Sequence, residues 1–197
     1  MQWSRIIWSA KKCFHMDKKD GRIRCFRRQN ERFQQPNILQ YGPRQSIMVW
    51  AAISAEGKSQ IIRFYRNVTA IRYQNEALGP ALLPFLNRHM PQMQFMQDNA
   101  PAHRAFVTRD WLRANNVQVF GPWPAKSLDM NPIENLWAQM ETSLQNRQHK
   151  PRNRDELWRA VQDIWININL FDIRRLVLSM RRRCNALSQA AGHHTRY

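Results

Sequence analysis

Apolar positions come in short runs through the first part of the chain and take up helical spacing towards its end. Residues 5–10, with Ile6-Ile7-Trp8 at their centre, predict a strand. Residues 47–53 and 60–65 are β-branched and aromatic runs separated by Ser54-Ala55-Glu56-Gly57-Lys58-Ser59, where Gly57 can supply a positive φ, and they predict a hairpin. From Thr69, the residues Tyr73, Ala77, Ala81, Leu82, Phe85 and Leu86 are spaced for a helix that Gly79-Pro80 and Pro84 should kink or split. Residues 93–97 then predict a strand ending at Asp98, a helix follows over about 103–115, and residues 117–120 form a second strand closed by Gly121-Pro122-Trp123-Pro124. Three amphipathic helices finish the chain, with apolar faces led by Ile133, Leu157 and Ile173. Antiparallel strands, then a strand–helix–strand unit, then helices, argue for an α/β fold with one mixed sheet, in a single domain over residues 1–197.

Charge changes the picture. Of 197 residues, 31 are Lys or Arg and 14 are Asp or Glu, a formal net charge of +17. The excess sits at the ends: residues 1–32 carry ten basic groups against three acids, residues 147–197 eleven against four, and the middle ten against seven. Such an excess favours a polyanion, because each phosphate neutralised releases condensed counterions. The alternative is a merely solvated basic surface. The basic arm of residues 11–45 offers Lys11, Lys12, Arg22, Arg24, Arg27 and Arg28 as DNA-backbone contacts, and the last helix adds Arg181, Arg182 and Arg183, a run that also reads as a nuclear-localisation or phosphate patch. Asp20-Gly21 marks a hairpin turn within the arm. Cys13, Cys25 and Cys184 show no Cys-x-x-Cys spacing, which argues against a disulfide framework or zinc knuckle and fits a reducing compartment. No run of eighteen apolar residues suggests a membrane span.

Two acids stand out. Asp98 ends an apolar strand, where open α/β sheets place ligand groups, although Asp-Asn-Ala-Pro is also ordinary turn chemistry. Glu134 falls in the first turn of a helix signalled by Asn131 as N-cap and Pro132 at the first helical position, where it could equally close a capping box.

Met48-Val49-Trp50, the block Gln97-Asp98-Asn99-Ala100-Pro101-Ala102-His103, and the block from Ser127 through Asn131-Pro132-Ile133-Glu134-Asn135-Leu136-Trp137 together resemble the signature blocks of the mariner superfamily of cut-and-paste DNA transposases, in its Tc-like branch. The resemblance spans nearly the whole chain. It implies a ribonuclease H-like mixed sheet flanked by helices, with C-terminal helices, carrying three carboxylates that bind two Mg²⁺ or Mn²⁺ ions for DNA cleavage and strand transfer. Asp98 and Glu134 would be the second and third of those catalytic and metal-binding acids, with 35 residues between them, close to the branch's usual spacing. His103 matches the His that ends the Asp-Asn-x-Pro-x-His block and could position a phosphate or water, or simply pack.

The chain departs from the pattern at the first acid. Where the family reads Phe-Ser-Asp-Glu, this sequence reads Trp8-Ser9-Ala10-Lys11, which removes a shared metal ligand and adds a positive charge beside its place. Metal binding is expected to be weakened and catalysis impaired. Asp17 and Asp20 are the nearest substitutes, but they fall in the basic arm. The helix-turn-helix modules with which family members read their inverted repeats are expected to be absent. What the resemblance implies about partners is DNA and a mariner-like homodimer, in the nucleus; the alternative is a non-enzymatic DNA-binding or transposase-interacting remnant.

Overall fold

The computed structural model describes residues 3–16, 45–89, 92–121, 123–124, 127 and 130–190. Arg22, Arg24, Arg27, Arg28, the Asp20-Gly21 turn, Cys25 and the possible substitutes Asp17 and Asp20 lie outside the described residues.

A five-stranded mixed sheet divides the core into two layers. Strand β1 (Ile6–His15) lies at its centre, antiparallel to β2 (Ser46–Ser54) and parallel to β5 (Gln94–Met96). Both faces of β1 are covered, so its residues alternate between two clusters. Ile6, Trp8, Ala10 and Phe14 pack towards Ile133, Trp137 and Trp165, whereas Ile7 packs with Trp50, Tyr73 and Phe95 on the other side. The strand runs five residues beyond the predicted end at Ala10. Lys11-Lys12 breaks the apolar run, yet position 14 resumes it, and a pleated backbone continues through polar residues whenever they find partners.

The hairpin forms in two pieces. Strands β3 (Gly57–Lys58) and β4 (Ile62–Phe64) both pair with β2. Ile53 opposes Lys58 but Trp50 opposes Ile62, so the returning chain carries one extra residue, as in a β-bulge. Ser59 fills the gap, its hydroxyl accepting from the Ala52 N–H at 2.9 Å.

Gly79-Pro80 does not split the following helix. Between α1 (Ala70–Arg72) and α2 (Leu83–His89), residues Tyr73–Leu82 wind as a wider π-helix, in which the Leu83 N–H donates to the carbonyl of Leu78 five residues back. Pro80 lacks the N–H that α-winding would need, and wider winding gives its ring room. A Cβ on Gly79 would come within 3.3 Å of the Gln74 carbonyl oxygen, so a small residue suits that turn. The segment buries Tyr73 completely beside the end of β5.

The predicted helix over 103–115 is two helices, α3 (Pro101–Arg104) and α4 (Phe106–Ala114), broken at Ala105, whose ψ of 138° is extended. Asn116, with a φ of 54°, then turns the chain. The Val117 N–H reaches the Leu112 carbonyl and the Asn116 N–H that of Arg113, a Schellman ending in which buried Leu112 and Val117 meet. This delivers residues 117–120 to β5, where they make a single parallel bridge, Phe95 to Val119, rather than a full strand.

The C-terminal helices are α5 (Pro132–Gln145), α6 (Arg154–Asn167), α7 (Leu170–Leu178) and α8 (Met180–Gln189). The last two were expected as one. Ser179 separates them, its hydroxyl donating to the Leu176 carbonyl at 2.6 Å and accepting from Arg183 Nε at 2.9 Å. No helix among the described residues is long and apolar enough to cross a membrane.

Candidate active site

Position 10 of β1, the residues after β5 and the first turn of α5 meet at one end of the sheet. Ser9 joins them. Its hydroxyl donates to the Met96 carbonyl at 2.9 Å, tying β1 to β5, and its own carbonyl accepts from Asn131 Nδ2 at 3.1 Å, tying β1 to the N-cap of α5. The parallel register ends where Trp8 pairs with Met96, and from that pair Ala10 and Asp98 each lie two residues further along their own segments.

Asn131 also caps α5 through its side-chain oxygen, which accepts from the Ile133 N–H. The cap is therefore made by Asn131 at that N–H, and among the described residues no hydrogen bond runs back from Glu134 to close a capping box. Asn131→Ala is expected to lose about 1–3 kcal/mol in chemical denaturation, a cap and a buried hydrogen bond together. Asn131→Asp should recover the cap but not the bond to Ser9.

Asp98 is 44% exposed at its side chain and held from behind. Its Oδ1 accepts from the Ala100 N–H at 2.9 Å, the turn bond anticipated for Asp-Asn-Ala-Pro, and lies 2.6 Å from Nδ1 of His103. With its proton on Nδ1 the imidazole donates to the carboxylate. Burial pushes the Asp98 carboxyl up, but the hydrogen bond and charge of His103, the Ala100 N–H and the charge of Lys11 outweigh it and hold the group at about 2. His103 is 2% exposed and stacks on Tyr73 with ring centroids 4.3 Å apart, while the Tyr73 hydroxyl donates to Gln97 Oε1 at 3.1 Å. The π-helix, β5 and α3 thus fix the Asp98 side chain together.

Glu134 is half-buried on α5. Burial raises its proton affinity, the charge of Lys12 opposes that rise, and the charges of Asp98 and Glu141 add to it. The two candidate acids therefore sit within electrostatic reach of each other. Lys12 Nζ lies 3.3 Å from Glu141 Oε1 on the same helix as Glu134. Lys11 is assigned to neither helix but feels Asp98: burial lowers its proton affinity and the Asp98 charge raises it.

Beside Asp98 opens a cleft of about 420 Å³, with Phe120 and Trp123 in its wall and Arg104, Arg109 and Arg113 around it. The three arginines are exposed, and Arg113 pairs with Asp110 at 2.7 Å.

A sequence model for the DDE superfamily endonuclease family matches residues 15–158. The chain belongs to the DDE superfamily endonucleases. Within the family its similarity is to transposases of the Tc1/mariner type. The Transposable element Tc1 transposase of Caenorhabditis elegans is 29% identical over 203 residues, spanning all of this chain and 71% of that protein. The Tcb1 transposase of Caenorhabditis briggsae is 28% identical over 202 residues, with the same coverage. Among solved structures, the catalytic domain of Mos1 transposase with raltegravir and Mn superposes with a TM-score of 0.71 at 19% identity, over 98% of this chain and 86% of that one. A pre-cleavage Mos1 transpososome gives 0.75 at 19% identity, over 98% of this chain and 57% of that one. The ribonuclease H-like fold expected from the resemblance is the fold observed.

Relatives of this DDE endonuclease fold have been solved with Mg or Mn. Among the described residues the donors at this site do not fit a pair of such ions. Position 10 carries a methyl group 6% exposed, and the two positions that follow it, 11 and 12, carry ammonium groups. Among the described residues no group of three or more His, Cys, Asp or Glu side chains comes together to hold a metal ion. Hard divalent cations need oxygen ligands, and two carboxylates are a poor substitute for three that share the ions.

The sequence-predicted DNA contacts scatter. Lys11 and Lys12 lie in β1 rather than in an arm. Arg181 and Arg182 are exposed on α8, whereas Arg183 is 3% exposed and donates from Nη2 to Asn135 Oδ1 at 2.7 Å, bracing α8 against the first turns of α5. It has no free face for a phosphate. Sequence reasoning missed Ser9, Tyr73 and Glu141. The resumption of apolar residues at Phe14 could have revealed that the strand continues, but nothing local signals the Ser9 bonds, which span 87 and 122 residues.

Proposed function

We propose that this transposase catalytic domain binds DNA and is severely impaired in metal-dependent cleavage and strand transfer. The observation that carries the reading is the buried Ala10, two residues past the last β1–β5 pair as Asp98 is, where a shared oxygen ligand is required. In a two-metal site one ion activates the attacking oxygen and the other stabilises the leaving one, and a ligand common to both fixes their separation. Asp98 and Glu134 are what remains of that site. In the natural chain Asp98 is oriented by His103 and Ala100, and Glu134 by the cap at Asn131, but these two carboxylates alone do not fix a pair of ions.

DNA binding rests on different features. The net charge of +17, the arginines around the Asp98 cleft and exposed Arg181 and Arg182 supply phosphate contacts that do not depend on Ala10. The solved Mos1 neighbours include a paired-end complex and a strand transfer complex, which supports DNA engagement by a homodimer. Binding to a short duplex, followed by fluorescence anisotropy, is expected to weaken linearly in log–log terms as salt rises. With six or more phosphate contacts the loss between about 50 and about 200 mM salt is roughly a thousandfold or greater. Salt-insensitive binding, or none, would overturn the DNA-binding half of the proposal; magnesium-dependent nicking that disappears in Asp98→Asn would overturn the other half. Ala10 favours a second reading over an active enzyme: a protein that keeps the fold and DNA affinity without chemistry.

A further inference from the structure

We infer that the cleft beside Asp98 grips one unpaired nucleotide, its base against the rings of Phe120 and Trp123 and its phosphate at Arg104 and Arg109, so that the domain prefers DNA with an unpaired end over closed duplex. This rests on the reading of the chain as a DNA-binding domain and deepens it by naming the form of DNA that the cleft takes.

The cleft is lined by two unlike kinds of side chain. Phe120 and Trp123 bring flat rings, and Leu112 and Val117 add aliphatic surface. Arg104 and Arg109 bring exposed guanidinium groups, and among the described residues no hydrogen bond or ion pair engages either side chain, whereas Arg113 is already held by Asp110. The rings are set in place by the fold. Asn99 Nδ2 donates to the Trp123 carbonyl at 2.8 Å, which ties this loop to the turn that carries Asp98. Fully buried Trp8 meets the Trp123 ring at 5.5 Å between centroids and nearly at right angles, and Phe120 lies 6.2 Å from Trp123. The Phe120 N–H donates to the Phe95 carbonyl at 2.8 Å, which fixes its backbone to β5. Both rings remain only half-buried. A surface ordered in advance loses little freedom when it binds.

Closed duplex cannot use both kinds of lining. It offers phosphates to the arginines but keeps the faces of its bases stacked on one another. An unpaired nucleotide presents an anionic phosphate and a free flat face together, and aromatic rings beside cationic groups hold single strands with little regard to sequence. The volume of about 420 Å³ suits one small molecule and not a run of strand. Every contact comes from side chains of this chain, so the grip needs no metal ion and is independent of the loss at position 10.

A free nucleotide shares the chemistry of an unpaired DNA end, and the experiment tells them apart. Fluorescence anisotropy of the full chain in EDTA compares a blunt hairpin duplex with the same duplex carrying a short single-stranded tail that ends in 2-aminopurine. The tailed duplex is expected to bind about 5- to 100-fold more tightly, the range set by stacking one base on an aromatic ring, and 2-aminopurine emission should be quenched on binding. Both the preference and the quenching should be lost in Trp123→Ala. Equal, salt-sensitive binding of the two duplexes by the natural chain overturns the grip and leaves DNA binding standing; binding of neither overturns both. A tail preference that survives Trp123→Ala overturns the placing of the base. Displacement of the tailed duplex by micromolar deoxyadenosine monophosphate would make a free nucleotide the occupant and overturn the assignment to DNA. Should circular dichroism show that Trp123→Ala does not fold, Arg104→Gln with Arg109→Gln serves instead, both side chains being exposed. That variant should lose more affinity for the tailed duplex than for the blunt one, and an equal loss on both overturns the inference.

Discussion

Supercoiled plasmid incubated with the natural chain and Mg²⁺ or Mn²⁺ is expected to remain supercoiled. The reaction class needs two cations at a fixed separation, and the residue that would share them is a methyl group held 6% exposed between β2 and α5. Disturbing only the groups behind a metal's ligands typically costs about 10- to 100-fold. Removing a ligand common to both ions should cost more, so nicking by the natural chain is expected to be lower by more than about 100-fold than nicking by the chain with Asp at position 10 and Gln at 11 and 12. The decisive control is Glu134→Gln in that triple background. Activity restored by the three changes and abolished by the fourth would assign it to this site and not to a contaminating nuclease. Comparable nicking by the natural chain and the triple variant would remove the case for impairment.

Trp137→Ala is the second change with a large expected effect, and it acts on stability. Trp137 is fully buried on α5, stacks on Trp165 of α6 with centroids 5.5 Å apart, and meets Phe14 of β1 edge-on at 5.9 Å. One ring thus binds the sheet and two helices together directly below the turn that presents Glu134. Truncating it should cost about 3–5 kcal/mol, a large share of the roughly 5–15 kcal/mol that holds a domain folded. Urea unfolding should show a clearly lower midpoint, or no folded baseline at all. Trp137→Phe makes the useful contrast. Among the described residues the Trp137 indole N–H has no protein partner, so Phe sacrifices volume but no hydrogen bond and should lose far less than Ala. An equal loss in the two variants would mean that the ring does not bridge the elements as described.

Much of the site was legible because its signals are local. Asp98 at the end of an apolar run and Asn131-Pro132 before a helical stripe are cap and turn chemistry that depends on neighbours within a few residues, and both elements form where the pattern puts them. The misjudged elements share a different cause. The end of β1 was placed at Ala10 because Lys11 and Lys12 are polar, but their partners come from distant parts of the chain. Gly79-Pro80 predicts a kinked or split helix, and burial of Tyr73, Ala77 and Leu78 holds the segment together as a π-helix. Arg181-Arg182-Arg183 looks uniform in sequence, and only the packing of α8 against α5 separates the buried third arginine from its exposed neighbours.

The sequence by itself determined the alternating and helical patterns that make an α/β domain, the strong positive charge, the positions of Asp98 and Glu134, and the absence of an acid at position 10, since each is written in residues adjacent along the chain. Only the tertiary structure decided that Ser9 locks the three parts of the site to one another, that Tyr73 stacks behind the His103 that backs Asp98, and that β1 runs on through Lys11 and Lys12. The Ser9 bonds and the Tyr73–His103 stack join residues tens to more than a hundred positions apart, and a side chain's partner at that range is set by how layers pack, which no local pattern specifies.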